Sequence, residues 1–424
     1  MNNRPVWIQN IGELATLKSA QTGPRIGEDM NDLGLINNGS VWVEKGRIEA
    51  VGTTIEIKEK YESRMEEADV IDAGGRLITP GLVDPHTHFV YGGSREEEFE
   101  RRLQGYTYME IMNAGGGIHS TAKKTDDTPY SQLLKESSNR LDLFLHHGVT
   151  TIEGKSGYGT ALDTELKQLR IMRELNEQHP IDIVSTFMGA HAIPKSFAGR
   201  EERYVESVIN EMIPAVMAED LAEFIDVFCE KDVFSIEQSR RILLAGKKAG
   251  LRAKIHADEI VATGGAELAA QLEAISAEHL LKTELAGMKA MAEAGVIACL
   301  LPATALFLGE KPADARTMID LGVPVAISTD CNPGSSPTVS MPLVMNLACL
   351  LMKMTPAEAL TAATYNAACA INREDRIGSI EEGKQADLAL WNVSSYRELQ
   401  YFFGVNHIHS VWKRGELVIN GFGR

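Results

Sequence analysis

The chain has 424 residues, of which 44% are hydrophobic, 24% charged and 6% aromatic, and its formal net charge is −17. Those proportions describe a folded globular protein rather than a disordered one, and the acidity disfavours phosphate backbones and anionic lipid surfaces as partners. The first residues, MNNRPVWIQNIGELATL, lack a continuous apolar core, and no stretch reaches the ~18 uninterrupted apolar residues of a membrane span, so the expectation is a cytoplasmic protein with neither nucleic acid nor membrane as partner.

In chain order, residues 1–77 read as short strands joined by tight turns. GSVWVEKGRIEAVG alternates apolar and polar residues around a Lys-Gly turn, and ADVIDAGGRLITPG follows a charged, helix-like stretch. Residues 78–364 then alternate apolar runs with helical or loop-rich segments. The runs are GLVDPHTHF, GVTTIEGKSGYG, IDIVSTFMGAHAIP, FIDVFCEKDVFS, LRAKIHADE, AISAEHL, GVIACLLPA and VPVAISTD. Eight runs without period-two alternation fit the buried parallel strands of a (β/α)8 TIM-like barrel better than an open doubly wound sheet. Residues 365–424 return to alternating strands, with RIGSIEEGKQADLALWNV and IHSVWKRGELVINGF. Each end is too short to bury its own sheet, so the two are expected to combine into one small β-sandwich built from both termini. The fold class is therefore α/β, a barrel with a terminal β-sandwich.

The ionisable residues that stand out occupy the C-terminal tips of these runs, where a barrel gathers its active-site loops: His86 and His88, Tyr158, His191, His256 with Glu259, His279, and Asp330. Residues i and i+2 of a strand share a face, so His86 and His88 can aim two imidazoles at one point. His256 and Asp330 add a third nitrogen and a carboxylate oxygen, a ligand set suited to one zinc or iron ion per subunit. Three residues after His256, Glu259 is placed as a proton acceptor for a catalytic water, and His279 as a hydrogen-bond partner for the attacking oxygen or a developing oxyanion. An anionic substrate would need a local cation in so acidic a protein. Arg95, seven residues past His88, offers a bidentate fork for a carboxylate.

Several segments need no chemistry. The Gly115-Gly116-Gly117 run opens no strand–helix unit and reads as a flexible loop, His119 as part of a solvated loop, and His146, His147, His179, His407 and His409 as structural or surface residues. The five cysteines are odd in number, widely spaced and without a C-x-x-C pair, which argues for free thiols. Cys331 is set apart only by its place next to Asp330.

LITPGLVDPHTHFV, His256 on the fifth run and Ser328-Thr329-Asp330 closing the eighth together resemble the amidohydrolase superfamily in its mononuclear form. GGSREEEF, KSGYG, MGAHAIP, DVFCE, HADE, TDCNPGSSPT and GKQADLALW resemble the imidazolonepropionase family within it, and the likeness runs over nearly the whole chain. It implies hydrolytic ring opening of 4-imidazolone-5-propanoate to N-formimidoyl-L-glutamate, with Tyr158, His191 and Glu259 binding substrate and Asn332, Gly334 and Ser335 contacting substrate or product. It also implies a homodimer. Two positions depart from the pattern: Glu278 stands where Asp is expected and Gly154 where an apolar residue is expected. A deaminase of a nitrogen heterocycle would share the metal and Glu259, but Arg95 with NPGSS favours the carboxylate-bearing substrate. All four ligand residues are present, which disfavours a non-catalytic scaffold.

Overall fold

The structure is a computed structural model that describes residues 4–19, 22–106, 110 and 116–422. Eight parallel strands follow one another in order around the central barrel: β6 (Leu82–Thr87), β7 (Val149–Lys155), β8 (Asp182–Ala190), β9 (Phe224–Cys229), β10 (Arg252–Ala257), β11 (Ser276–His279), β12 (Ile297–Leu300) and β13 (Val325–Ile327). All eight coincide with the apolar runs read from the sequence. The seam between the first and last is drawn together just past β13, where Asp330 N–H donates to His86 O at 3.1 Å and His88 N–H to Cys331 O at 2.9 Å. The same residues that close the barrel thus carry the candidate ligands.

The helices around the barrel follow from local chemistry. Ile236–Ala249 starts at a capping box, in which Ser235 and Gln238 satisfy each other's free backbone N–H groups, and it stops at Gly250 with φ of 105°. Such a cap contributes about 1 kcal/mol. The face it turns inward buries Ile242 and Leu243, and Gly246 meets β9 so closely that a Cβ there would lie 2.6 Å from Ile225.

The other strands come from the two ends of the chain: β1 (Val6–Ala15), β2 (Leu35–Glu44), β3 (Arg47–Thr53), β4 (Asp69–Asp72), β5 (Leu77–Pro80), β14 (Leu388–Trp391), β15 (Ile408–Lys413) and β16 (Glu416–Ile419). They form one sheet in the order β16-β15-β14-β5-β1-β2-β3, with β4 beside β1. Ile8, Ile11, Val41, Ile78, Leu388, Leu390 and Trp412 fill its core. Lys45 (φ 49°) and Gly46 (φ 77°) form one hairpin turn, and Arg414 (φ 47°) and Gly415 (φ 74°) another. Positive φ at both central positions is the turn whose twist matches the flanking strands. Lys413, held on its own sheet's side by Asp387 at 2.6 Å, fastens this sheet to the barrel through Asp182, the first residue of β8, at 2.8 Å. No helix among the described residues is long and apolar enough to cross a membrane.

Candidate metal centre and substrate pocket

Consecutive barrel strands end in side chains that point into one mouth. His86 Nε2 lies 3.4 Å and His88 Nε2 3.8 Å from Asp330 Oδ1, and the His86 and His256 rings are 4.6 Å apart between centroids. His86, His88 and Asp330 form one group of donor atoms close enough to share an ion; His86, His256 and His279 form another, and His88, His191 and His256 a third. Burial holds the His86, His88 and His279 imidazoles well below the ordinary histidine range, so they are neutral. Neutral imidazoles are the ligating form. His86 Nε2 and His256 Nε2 are buried with no hydrogen-bond partner. Orphaned ring nitrogens facing a buried carboxylate are costly unless something occupies the space between them. The donor set therefore fits a metal ion; His86, His88, His256 and Asp330 would offer it three nitrogens and one carboxylate.

Asp330 has a backbone φ of 52°, a left-handed conformation unusual for a residue other than glycine, and sparsely populated geometry of this kind concentrates at functional sites. Thr304 Oγ1 donates to its Oδ2 at 2.7 Å. Burial nevertheless pushes its carboxyl up to about 7. Behind it Asp84 accepts from Thr329 Oγ1 at 2.6 Å, from Thr329 N–H at 3.1 Å and from Ser328 Oγ, and burial lifts Asp84 to about 6.

Glu259 Oε1 lies 3.5 Å from His279 Nδ1. Burial pushes the Glu259 carboxyl up to about 8, with the negative charges of Asp330 and Glu230 adding to the effect. A cation held between the histidines and Asp330 would draw it down again. The backbone on both sides of Glu259 is gripped. The Asp258 carboxylate accepts from the N–H groups of Thr263, Gly264, Gly265 and Ala266 and from Thr283 Oγ1, while Glu230 Oε2 accepts from Ile260 N–H at 2.8 Å.

The substrate-side residues surround the same mouth. The His191 ring stacks on His88 at 4.8 Å, with Tyr158 5.5 Å from His191 and 5.7 Å from His88. Gly157, with φ of 109°, makes this possible, since a Cβ there would fall 2.7 Å from His191 Nδ1. Asn332 organises the loop after Asp330: its Oδ1 accepts from Gly334 N–H and Ser335 N–H, both at 2.8 Å, and its Nδ2 donates to Asp330 O at 2.7 Å. Arg95 reaches across to this loop, and a Cβ on Gly334 would lie 1.9 Å from Arg95 Nη1. Its other side is held by Glu98 Oε2, 2.9 Å from Nε and 2.8 Å from Nη2, leaving Nη1 toward the loop.

Every residue singled out as ligand, proton carrier or substrate contact thus stands around one mouth. The histidines set aside lie elsewhere: His179 pairs with Asp142 at 3.2 Å, His407 packs on Phe402 and His409 on Phe422. His119 needs correction. It stands in helix Ile118–Asp127 and is half-buried, because Gly117 (φ 77°), the last residue of the glycine run, caps that helix; Gly115 lies outside the described residues. The five cysteines are unpaired, and burial pushes the Cys331 thiol up to about 12, so it stays protonated. Sequence reasoning missed Glu98, Thr304, Asp84, and the charges beneath the ligands: Glu153, Lys155, Asp226, Lys254 and Glu278. A signal existed for the last group, since a charged residue within an otherwise apolar strand is buried only when paired.

A barrel that gathers histidines and a strand-eight aspartate at its C-terminal rim defines a class. The chain belongs to the amidohydrolase family, whose model matches residues 77–418. It is similar to imidazolonepropionase from Geobacillus sp. (strain WCH70), 58% identical with 98% of each chain covered, and to imidazolonepropionase from Alkaliphilus metalliredigens (strain QYMF), 50% identical over the same shares. Among solved structures it resembles a zinc-bound adenosine deaminase from Xanthomonas campestris, at 19% identity and TM-score 0.70, covering 98% of this chain and 93% of that one. It also resembles E. coli guanine deaminase, at 16% identity and TM-score 0.71, with 98% and 99% covered. At such identities the structural likeness speaks to the fold alone.

Proposed function

We propose that the chain is an imidazolonepropionase: water adds to the ring carbonyl of 4-imidazolone-5-propanoate, the adjacent carbon–nitrogen bond breaks, and N-formimidoyl-L-glutamate results. His86, His88, His256 and Asp330 would hold one zinc or iron ion, since both accept this nitrogen and oxygen set. Bound there, such an ion supplies Lewis acidity and a source of hydroxide near pH ~7.

The remaining work falls to the chain's own side chains. Arg95 takes the propionate through Nη1, the one edge of its fork that Glu98 leaves open, and this offsets the chain's overall negative charge at that spot. Tyr158 and His191 flank the ring. Glu259 removes the proton from the attacking water and returns it to the departing ring nitrogen, while His279 hydrogen-bonds the oxygen on which charge develops. Asn332, Gly334 and Ser335 shape the floor on which the new carboxylate emerges. A homodimer acting in the cytoplasm completes the proposal, and light scattering checks the dimer.

The observation that carries this reading is the meeting of Arg95 with Gly334, in the loop that follows Asp330, in a chain 58% identical over 98% of its length to an imidazolonepropionase. The test is a screen of metal-loaded protein against imidazolonepropionate, unsubstituted cyclic amides and aminated heterocycles. Loss of the imidazolone ultraviolet absorbance with formation of formimidoylglutamate is expected. Turnover of an aminated heterocycle, with imidazolonepropionate untouched, overturns it in favour of a deaminase.

A further inference from the structure

Directly under the candidate ligands lie five ionisable side chains with no solvent exposure: Glu153 and Lys155 on β7, Asp226 on β9, Lys254 on β10 and Glu278 on β11. Lys155 Nζ sits 2.8 Å from both Glu153 Oε1 and Asp226 Oδ2, and 3.9 Å from Glu278 Oε2. Lys254 Nζ is 2.5 Å from Glu153 Oε2 and 3.5 Å from Glu278 Oε1, and it donates to Pro85 O, just before His86, at 3.1 Å. Burying five charges is expensive, and well-packed apolar residues of similar volume commonly serve stability as well or better. The cluster's geometry points to a different use.

Its upward contacts end on ligand residues. Glu278 Oε2 hydrogen-bonds His86 Nδ1, and Asp226 Oδ2 lies 3.0 Å from His256 Nδ1 while its Oδ1 accepts from His256 N–H at 3.1 Å. An imidazole whose Nδ1–H faces a carboxylate presents its Nε2 lone pair on the opposite side; in His86 only Nε2 lacks a hydrogen-bond partner, while in His256 neither ring nitrogen has one and Asp226 Oδ2 is the nearby carboxylate oxygen for Nδ1. We propose that Glu278 and Asp226 are positioning residues that fix the tautomer and aim of His86 and His256, and that Lys155, shared between the two carboxylates, sets both rings as a unit. Glu278 has the reach for this: from β11 it meets His86 with one oxygen while the other takes Ser276 Oγ at 2.5 Å.

This inference rests on the metal reading above, and its test separates the two. Zinc is titrated into metal-free protein in competition with a chelator of known affinity. Glu278→Ala should bind zinc some 10- to 100-fold more weakly, the loss typical of removing such a support. Glu278→Gln should recover most of that loss, because its amide oxygen still accepts from Nδ1–H. If Glu278→Ala binds zinc as tightly as the parent, the positioning role is overturned while the metal site stands. If the parent takes up no zinc, the metal reading falls and this proposal with it. Nitrogen-15 NMR of the zinc-loaded parent needs no variant to fold: His86 and His256 protonated at Nδ1 support the proposal, and protonation at Nε2 overturns it.

Discussion

Gly334→Ala isolates the contact on which the proposed substrate recognition depends. The backbone at 334 is not left-handed, so alanine introduces no conformational strain of its own. Its methyl carbon would stand 1.9 Å from Arg95 Nη1 and 2.6 Å from Cζ, well inside contact distance. The guanidinium lies at the end of a flexible side chain and can swing aside, so the cost falls on recognition rather than on folding. A charge-assisted hydrogen bond to the propionate is worth about 1.5–3 kcal/mol, and its loss corresponds to roughly a 10- to 150-fold fall in kcat/KM. Steady-state kinetics should show that fall mainly in KM, with metal content and unfolding midpoint close to the parent. Arg95→Ala should lose a similar factor, and the double variant little more, because both substitutions remove one contact. A Gly334→Ala enzyme with unchanged kcat/KM, or one whose loss adds fully to that of Arg95→Ala, refutes the assignment of Arg95 to the tail carboxylate.

Four further outcomes are expected. Glu259→Gln should slow single-turnover ring opening by about 10²- to 10⁴-fold while keeping its metal, since an amide cannot carry the proton; a wild-type single-turnover rate removes Glu259 from that role. His256→Ala should lose both metal, by elemental analysis, and turnover; retention of a full equivalent of metal contradicts the ligand set. Lys155→Met leaves Asp226 without its lysine partner, while Lys254 still faces Glu153 and Glu278, and denaturant unfolding should show a cost of about 3–5 kcal/mol. Gly154→Val would press a Cβ to 2.7 Å from Phe89 Cε1 and 3.0 Å from Met172 Sδ, and overpacking there should cost about 1–3 kcal/mol by the same assay.

Much of the mouth was legible because strand and barrel geometry are simple. A period of two puts His86 and His88 on one face, and parallel strands in sequential order bring the ends of β6, β10 and β13 together without any knowledge of side-chain packing. The turns at Lys45-Gly46 and Arg414-Gly415 were legible for the same local reason. The buried charges were less so, because the contacts that tie them to one another and to the ligands, Lys155 to Asp226, Lys254 to Glu153 and Glu278 to His86, join strands that are not consecutive. Glu278 looks like a mere departure from a motif until β10 and β11 are set in register, with Ala257 beside His279, and its carboxylate meets His86 from across the barrel. Gly154 likewise explains itself only against Phe89 and Met172. His119 was misread because Gly117 starts a helix in a region whose composition suggests only a loop.

The most direct test of the central claim follows one preparation through metal removal and return with 4-imidazolone-5-propanoate as substrate. Parent protein should convert it to formimidoylglutamate, lose that activity on chelation and regain it when zinc or iron is restored. Full activity in protein verified to be metal-free, or no conversion in protein verified to carry one equivalent, contradicts the account.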